Sequence, residues 1–110
     1  MSYDLKKDKS GQFTFNLKAG NGQVILTGQS YASKQAAQDG IASVRAHGSD
    51  DINFELKTST AGEPFFVLKA KNGQTIGKSE MYSSTGARDN GVASVKSNSA
   101  STTVNDLTGA

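Results

Sequence analysis

Apolar and polar residues alternate along several short stretches of the chain, a pattern typical of β-strands with one buried face. The clearest stretch is 13–18, Phe-Thr-Phe-Asn-Leu-Lys, and a shorter one spans 3–7. After a third strand, residues 33–48 read as a helix, which Ser33 can cap and which Gly48 is suited to end in a left-handed conformation. The pattern predicts strands followed by a helix of about three to four turns.

This pattern occurs twice, at a constant offset of 51 positions. Residues 17–25 read Leu-Lys-Ala-Gly-Asn-Gly-Gln-Val-Ile, and residues 68–76 read Leu-Lys-Ala-Lys-Asn-Gly-Gln-Thr-Ile. Each copy predicts a tight β-hairpin, because an Asn-Gly pair readily adopts the positive φ of such turns. A repeat of roughly 50 residues buries too little apolar surface to be stable alone. We therefore expect residues 1–110 to form a single domain from two repeats, approximately 3–51 and 54–107.

Two turn geometries fit the hairpins, and they differ in which side chains share a face. A two-residue turn pairs Leu17 with Leu26, whereas a three-residue loop that ends in a left-handed Gly22 pairs Leu17 with Ile25. The second repeat has Gly77 at the position of Leu26, which favours the three-residue loop. In that register Leu26 lies on the face opposite the core.

Other residues indicate how the repeats are joined. The helices contain Gly40 and Gly91 at equivalent positions, which we interpret as close approach of each helix to the sheet. A strand over 52–57 is expected to follow the first helix and also to open the second repeat, and a trailing strand is expected over 102–107. Because Pro64 has no N–H to donate, it is expected at a strand start or at an edge.

One longer pattern runs through the first half and returns in the second. It reads Gly11-x-Phe-x-Phe-x-Leu-Lys-Ala-x-Asn-Gly-x-x-Ile, then Tyr31-x-Ser33-Lys34, then Asp39-Gly40-Ile41-x-Ser43-Val44. The pattern resembles the YegP-like family, small bacterial and archaeal proteins defined as a domain of unknown function. The resemblance implies an α+β fold in which tandem β(3)-α-β units form one antiparallel sheet, with two helices on one face, pseudo-twofold symmetry and exchanged trailing strands. It implies no activity and no functional residues.

Composition narrows the possible functions. The chain of 110 residues has 12 basic and 10 acidic side chains, a formal net charge of +2 that is too weak to indicate nucleic-acid binding by itself. It has no cysteine, so disulfides and thiolate metal sites are excluded. No apolar run approaches the roughly 20 residues of a membrane span. We expect a cytoplasmic, cofactor-free monomer with an internal pseudo-dimer.

The residues that could perform chemistry have simpler structural interpretations. The lone imidazole, His47, is expected at the surface or capping a helix end, and Asp50-Asp51 is expected in a turn. Tyr31 and Tyr82 are interpreted as sealing the ends of the core. The segment 20–22 precedes a strand and not a helix, so it lacks the positive helix end of a phosphate loop. These observations predict a protein that is not an enzyme.

The face of the hairpins opposite the core is the candidate contact surface. It is partly apolar, it carries lysines that both repeats share, and its other residues vary between repeats. Alternatively, the rest of the molecule covers this face. The candidate partner-binding residues are Lys18, Val24, Leu26, Phe65, Val67 and Lys69.

The leading hypothesis is therefore a non-enzymatic structural or interaction module with an unidentified macromolecular partner. A second hypothesis is binding of single-stranded nucleic acid, in which an aromatic ring stacks on a base and lysines contact phosphates. The residues proposed for that role are Lys18, Lys69, Lys71, Lys78 and Phe65. The weakest hypothesis is a small-molecule enzyme, for which the sequence offers no group of catalytic residues.

Overall fold

A computed structural model describes residues 2–109. The described strands are β1 (Ser2–Lys7), β2 (Phe13–Lys18), β3 (Val24–Gly28), β4 (Phe54–Thr58), β5 (Pro64–Lys69), β6 (Thr75–Lys78) and β7 (Val104–Asp106). The two helices are α1 (Lys34–His47) and α2 (Thr85–Asn98), and a short 3-10 turn over Asp51–Asn53 precedes β4.

The strands form one sheet in the order β4-β5-β6-β3-β2-β1-β7, and both helices pack on the same face. Neighbouring strands are antiparallel except β1 and β7, which run parallel. The predicted α+β fold of two β(3)-α-β repeats is confirmed. The exchange of the trailing strand is also observed, because β7 follows the second repeat and pairs with the first strand of the first repeat.

The core repeats the same aromatic contacts in both halves. The ring of Phe15 stacks on Tyr31 with 6.4 Å between centroids, and Phe66 stacks on Tyr82 at 6.3 Å. A Cβ atom at Gly40 would lie 2.6 Å from the Tyr31 hydroxyl oxygen and 2.9 Å from a ring carbon of Phe15, so any side chain there would displace one of these rings. The predicted close approach of helix to sheet at this glycine is confirmed.

The three-residue loop predicted for each hairpin is confirmed. Gly22 and Gly73 both have a φ of 83°. The Ala19 N–H donates to the Gln23 carbonyl oxygen at 2.9 Å, which closes the loop. Beyond the loop, however, a β-bulge shifts the register, so that Leu17 pairs with Leu26 and not with Ile25 as predicted.

The prediction that Leu26 lies on the face opposite the core is therefore wrong. Leu26 has no exposed surface and belongs to the core, because the bulge keeps both Ile25 and Leu26 on the helix side of the sheet. A Cβ atom at Gly77 would lie 2.7 Å from Leu26 Cδ2. The two equivalent positions meet where β3 pairs with β6, so only one of them can hold a large side chain.

Two details of the predicted element ends are corrected. Gly48 has a φ of −74°, so it is right-handed and not the left-handed stop that was predicted. Its Cβ atom would lie 2.6 Å from Ser99 Cβ, and packing therefore requires the glycine. The strand predicted over 52–57 begins at Phe54, because Asp50 caps the 3-10 turn by accepting a hydrogen bond from Ile52. Pro64 is the first residue of β5, as expected.

Candidate functional site

His47 and its equivalent, Asn98, form the same local hydrogen bond at the ends of the two helices. His47 Nδ1 lies 2.8 Å from the Ser43 carbonyl oxygen, and Asn98 Nδ2 donates to the Ser94 carbonyl oxygen at 2.7 Å. An asparagine and a histidine thus form equivalent hydrogen bonds at the two helix ends. This structural role accounts for the position of His47 without a catalytic function.

The two acids, Asp50 and Asp51, have separate local partners. Asp50 Oδ1 accepts the Ile52 N–H at 3.2 Å, while Asp51 pairs with Lys96 at 2.9 Å. Among residues 2–109, no group of three or more histidine, aspartate or glutamate side chains is placed to hold a metal ion. Within that range, no helix is long and apolar enough to cross a membrane.

Both helices lie on the core side of the sheet, so the opposite side, here called the outer face, is not covered by them. One row of outer-face residues crosses the whole sheet, with each residue paired to the next. The row consists of Glu55, Val67, Lys78, Thr27, Asn16, Asp4 and Asn105. Val67 is the one apolar residue of this row.

The lysines shared by the repeats are held by acids on the neighbouring strands. Lys18 Nζ lies 2.6 Å from Asp4 Oδ2, and Lys69 Nζ lies 2.6 Å from Glu55 Oε2. The hydrogen bond from Lys18 is the main cause that lowers the pKa of Asp4, and the bond from Lys69 is the main cause that lowers the pKa of Glu55. Both lysines are therefore engaged within the sheet.

The structure does not gather the predicted partner-binding residues at one place. Lys18 and Val24 pair beside the first hairpin, whereas Lys69 lies beside the second. Because β3 and β6 are antiparallel, the two hairpins are at opposite ends of the sheet. Val67 is only 7% exposed, and the Lys78 ammonium lies 5.2 Å from the centroid of the Phe65 ring.

A different surface emerges at the two edges of the sheet. Leu5 in β1 and Leu56 in β4 are equivalent residues, yet Leu5 is 1% exposed and Leu56 is 52% exposed. The difference arises because β7 pairs with β1, whereas no strand among residues 2–109 lies on the outer side of β4. We call this edge of the sheet, on the side of β4 away from β5, the open edge.

The hydrogen-bonding register directs the backbone groups of one β4 residue toward the open edge. Leu56 is paired with Phe66, and both backbone groups of Phe66 are used on the other side, toward β6: its N–H donates to Ser79 Oγ at 3.0 Å and its carbonyl accepts the Ser79 N–H at 2.9 Å. In an antiparallel ladder such a residue does not bond to the strand opposite. The N–H and C=O of Leu56 therefore point away from β5, toward the space where another strand would lie.

A groove of about 390 Å³ separates the open edge from α2. Its lining consists of Asp51, Phe54, Leu56, Asp89, Val92, Ala93 and Lys96. The equivalent hollow in the first repeat, beside Ile41 and Arg45, is about 250 Å³, and Val104 of β7 forms part of its lining. The groove is thus the place that β7 partly fills in the other repeat.

Sequence reasoning missed this site because Leu5 and Leu56 are the same residue in the same motif. One signal could have revealed it. In the sequence pattern, residues 52–57 both end the first repeat and begin the second. Because one segment provides a strand for both repeats, one strand position has no occupant. That position lies beside β4, on the side away from β5.

The fold and the repeated motifs define a class of small α+β proteins built from two β(3)-α-β units in one sheet. The chain belongs to the family described as "Domain of unknown function (DUF1508)", whose sequence model matches residues 8–55 and again residues 59–106. The expected YegP-like resemblance is therefore confirmed.

Full-length relatives support the same assignment. The chain is 55% identical over 106 residues to the UPF0339 protein YegP of Yersinia pestis, covering 96% of this chain and 95% of that protein. It is 56% identical to a UPF0339 protein of Mannheimia succiniciproducens, covering 96% of this chain and 94% of the relative. The names of both relatives state no activity.

A solved structure confirms the architecture. The solution NMR structure of yegP from E. coli, described as a protein of unknown function, matches with a TM-score of 0.93 at 48% identity. The match covers 98% of this chain and 93% of that chain.

Proposed function

We propose that the protein is a non-catalytic interaction module that binds a partner protein at the open edge. One observation carries this proposal: Leu56 is half exposed beside a partly apolar groove, whereas its equivalent, Leu5, is covered by a strand. Exposed strand edges readily pair with another chain, and proteins usually cover, shorten or charge them. The exposed Ile52, 84% accessible, lies in the turn just before β4 and adds apolar surface there.

The polar groups support a role in binding rather than catalysis. His47 and Asp50 are used in local hydrogen bonds, and the tyrosines before each helix stack on core phenylalanines. Burial raises the pKa of both Tyr31 and Tyr82, so the phenolate that a general base requires is even scarcer near neutral pH. A reaction centre needs converging groups with matched pKa values, and none of these residues supplies one.

Nucleic-acid binding has less support than protein binding. Three of its four proposed lysines are engaged: Lys18 and Lys69 by carboxylates, and Lys78 by the ring of Phe65, which was proposed to stack on a base. The hypothesis is tested by fluorescence anisotropy with a labelled single-stranded oligonucleotide. Affinity that falls steeply between about 50 and 200 mM salt would favour it over protein binding.

The protein-binding proposal is tested by photo-crosslinking in cells. A photoreactive benzoyl-phenylalanine replaces either Leu56, at the open edge, or Leu107, which is 58% exposed just after β7 at the opposite edge of the sheet. We expect a discrete protein adduct from position 56 and little from position 107. Equal adduct yields at the two positions would contradict binding at the open edge, because similar exposure alone would then explain the crosslinks.

A further inference from the structure

We propose that the open edge accepts an extended segment of a partner protein that runs parallel to β4 and inserts one apolar side chain into the groove. This inference rests on the proposed function and specifies the occupant. Its basis is internal: β7 already occupies the equivalent place in the first repeat, and it shows how a strand fits between this edge and its helix. Peptide capture by an exposed sheet edge is a common mode of recognition.

The backbone of β1 provides the template for the ladder. The Tyr3 N–H donates to the Thr103 carbonyl oxygen at 2.9 Å, and the Leu107 N–H donates to the Leu5 carbonyl oxygen at 2.8 Å. The residues of β4 that match Tyr3 and Leu5 are Phe54 and Leu56. Because the Phe54 N–H already donates to Asp51, a strand on β4 would form one hydrogen bond fewer at its start. The remaining bonds depend on the N–H and C=O of Leu56.

The side chains indicate what the segment must carry. Val104 pairs with Tyr3 and lines the hollow beside Ile41 and Arg45. The matching position on the open edge faces Val92 and Lys96 of α2. A valine or isoleucine there would cover Leu56 and enter the groove of about 390 Å³.

The next residue of the segment would lie on the outer face of the sheet. In the template this residue is Asn105, whose Nδ2 donates to Asp4 Oδ1 at 3.0 Å. Glu55 takes the place of Asp4 on the open edge, so a hydrogen-bond donor such as asparagine, serine, threonine or lysine is favoured there. The following residue, Asp106, pairs with Lys34 in the template. Thr85 replaces that lysine in the second repeat, so no acid is selected.

A second copy of this chain is the main competing occupant. Two β4 strands could pair antiparallel around Leu56, which would place Glu55 opposite the Lys57 of the other copy. However, Glu55 is already held by Lys57 and Lys69 of its own chain, at 3.1 Å and 2.6 Å. Such a pairing would therefore add little electrostatic attraction. It also lacks a precedent within the molecule, whereas the parallel arrangement has one.

The experiment attaches a second copy of residues 101–108 to the C-terminus of the full chain through a Gly/Ser linker of about 25 residues. A strand docked beyond β4 would lie seven strand spacings from β7, roughly 34 Å, which such a linker spans. One control chain carries the attached segment in reversed sequence. A second control chain carries aspartate in place of the valine that matches Val104. The readout is hydrogen exchange at the Leu56 amide, followed by NMR.

We expect the attached segment to slow exchange at the Leu56 amide about tenfold or more, and the aspartate control to leave the exchange rate unchanged. Equal or stronger protection by the reversed segment would overturn the parallel orientation. No protection by either segment would overturn strand docking. Protection in the unextended chain that grows with concentration, with a doubled mass in sedimentation, would assign the edge to a second copy. The crosslinking yields at positions 56 and 107 report separately on whether the edge binds protein at all.

Discussion

The two repeats contain nearly the same core, but their outer edges differ. Phe15 and Phe66 stack on equivalent tyrosines, and both have no exposed surface. At the edges, Leu5 is covered by β7 and Leu56 is open. The same residue at equivalent positions therefore lies in different environments, because its burial depends on which strand lies beside it. The second difference is at the centre, where Leu26 of one repeat occupies the space that Gly77 of the other leaves empty.

The largest effect is expected at the centre of the sheet. We predict that Leu26→Gly lowers the free energy of unfolding by about 4 kcal/mol, because it removes a fully buried side chain and leaves a cavity. Gly77→Leu alone should cost about 1–3 kcal/mol through overpacking against Leu26. Chemical denaturation of the purified variants measures both.

The double variant, Leu26→Gly with Gly77→Leu, sharpens the comparison. It moves the large side chain to the other repeat, so we expect it to be more stable than the sum of the two single changes predicts by at least about 1 kcal/mol. Strictly additive losses would show that the two repeats do not have equivalent space at the centre.

The edges give the next largest difference. We expect Leu5→Ala to lower the free energy of unfolding by about 3 kcal/mol, since Leu5 is 1% exposed in the core. Leu56→Ala should cost less than about 1 kcal/mol, because the side chain is already half in water. The pair is compared by thermal and chemical denaturation. Equal losses would mean that Leu56 is covered in solution.

The helix glycines provide a third test. Gly40→Leu should destabilise the protein by about 1–3 kcal/mol, because the new side chain would collide with Tyr31 and Phe15. Gly86→Ala in α2 is the matched control, since its Cβ atom would meet nothing closer than 3.9 Å. That change should stabilise the protein by up to about 1 kcal/mol. Thermal melting measures both variants, and an unchanged melt for Gly40→Leu would refute close packing of α1 on the sheet.

The smallest expected effect concerns the two equivalent acids. Asp4 is 3% exposed and bonded to Lys18 and Asn105, so Asp4→Asn should cost about 1–2 kcal/mol near neutral pH. Glu55 is more exposed, and Glu55→Gln should cost less.

The pH dependence of stability provides a second readout on this pair. The pKa of Asp4 is lowered in the folded state, so its stabilisation is present above the unfolded value of about 3.9 and is lost as pH falls through the folded value. Relative to Asp4→Asn, the wild type should therefore lose its advantage below about pH 4. A constant advantage down to pH 2 would contradict this assignment.

The sequence predicted the repeat, the hairpin loops, the first helix and the place of Pro64, because each depends on local residue chemistry or on the offset of 51 positions. The register beyond the loop was not predictable. Ile25 and Leu26 are both apolar, so alternation could not reveal the bulge that buries both. Gly48 looked like a left-handed stop, whereas contact with Ser99, 51 positions away, requires its lack of a side chain.

The candidate site was predicted less well than the fold. The shared lysines, Lys18 and Lys69, indicated a contact surface, but their acidic partners lie on other strands and became visible only through strand pairing. The open edge depends on strand order, which residue patterns within a single strand do not contain.

The parallel pairing of β1 with β7 also determines how the molecule would respond to mechanical load. Residue 2 begins β1 and residue 109 follows β7, so tension applied between them pulls two parallel neighbours in opposite directions along their length. The hydrogen bonds from Tyr3 to Thr103 and from Leu107 to Leu5 would then be loaded together, in shear, instead of opening one after another like a zipper. The contact that seals one edge of the sheet is thus also the first point of resistance when the chain is stretched.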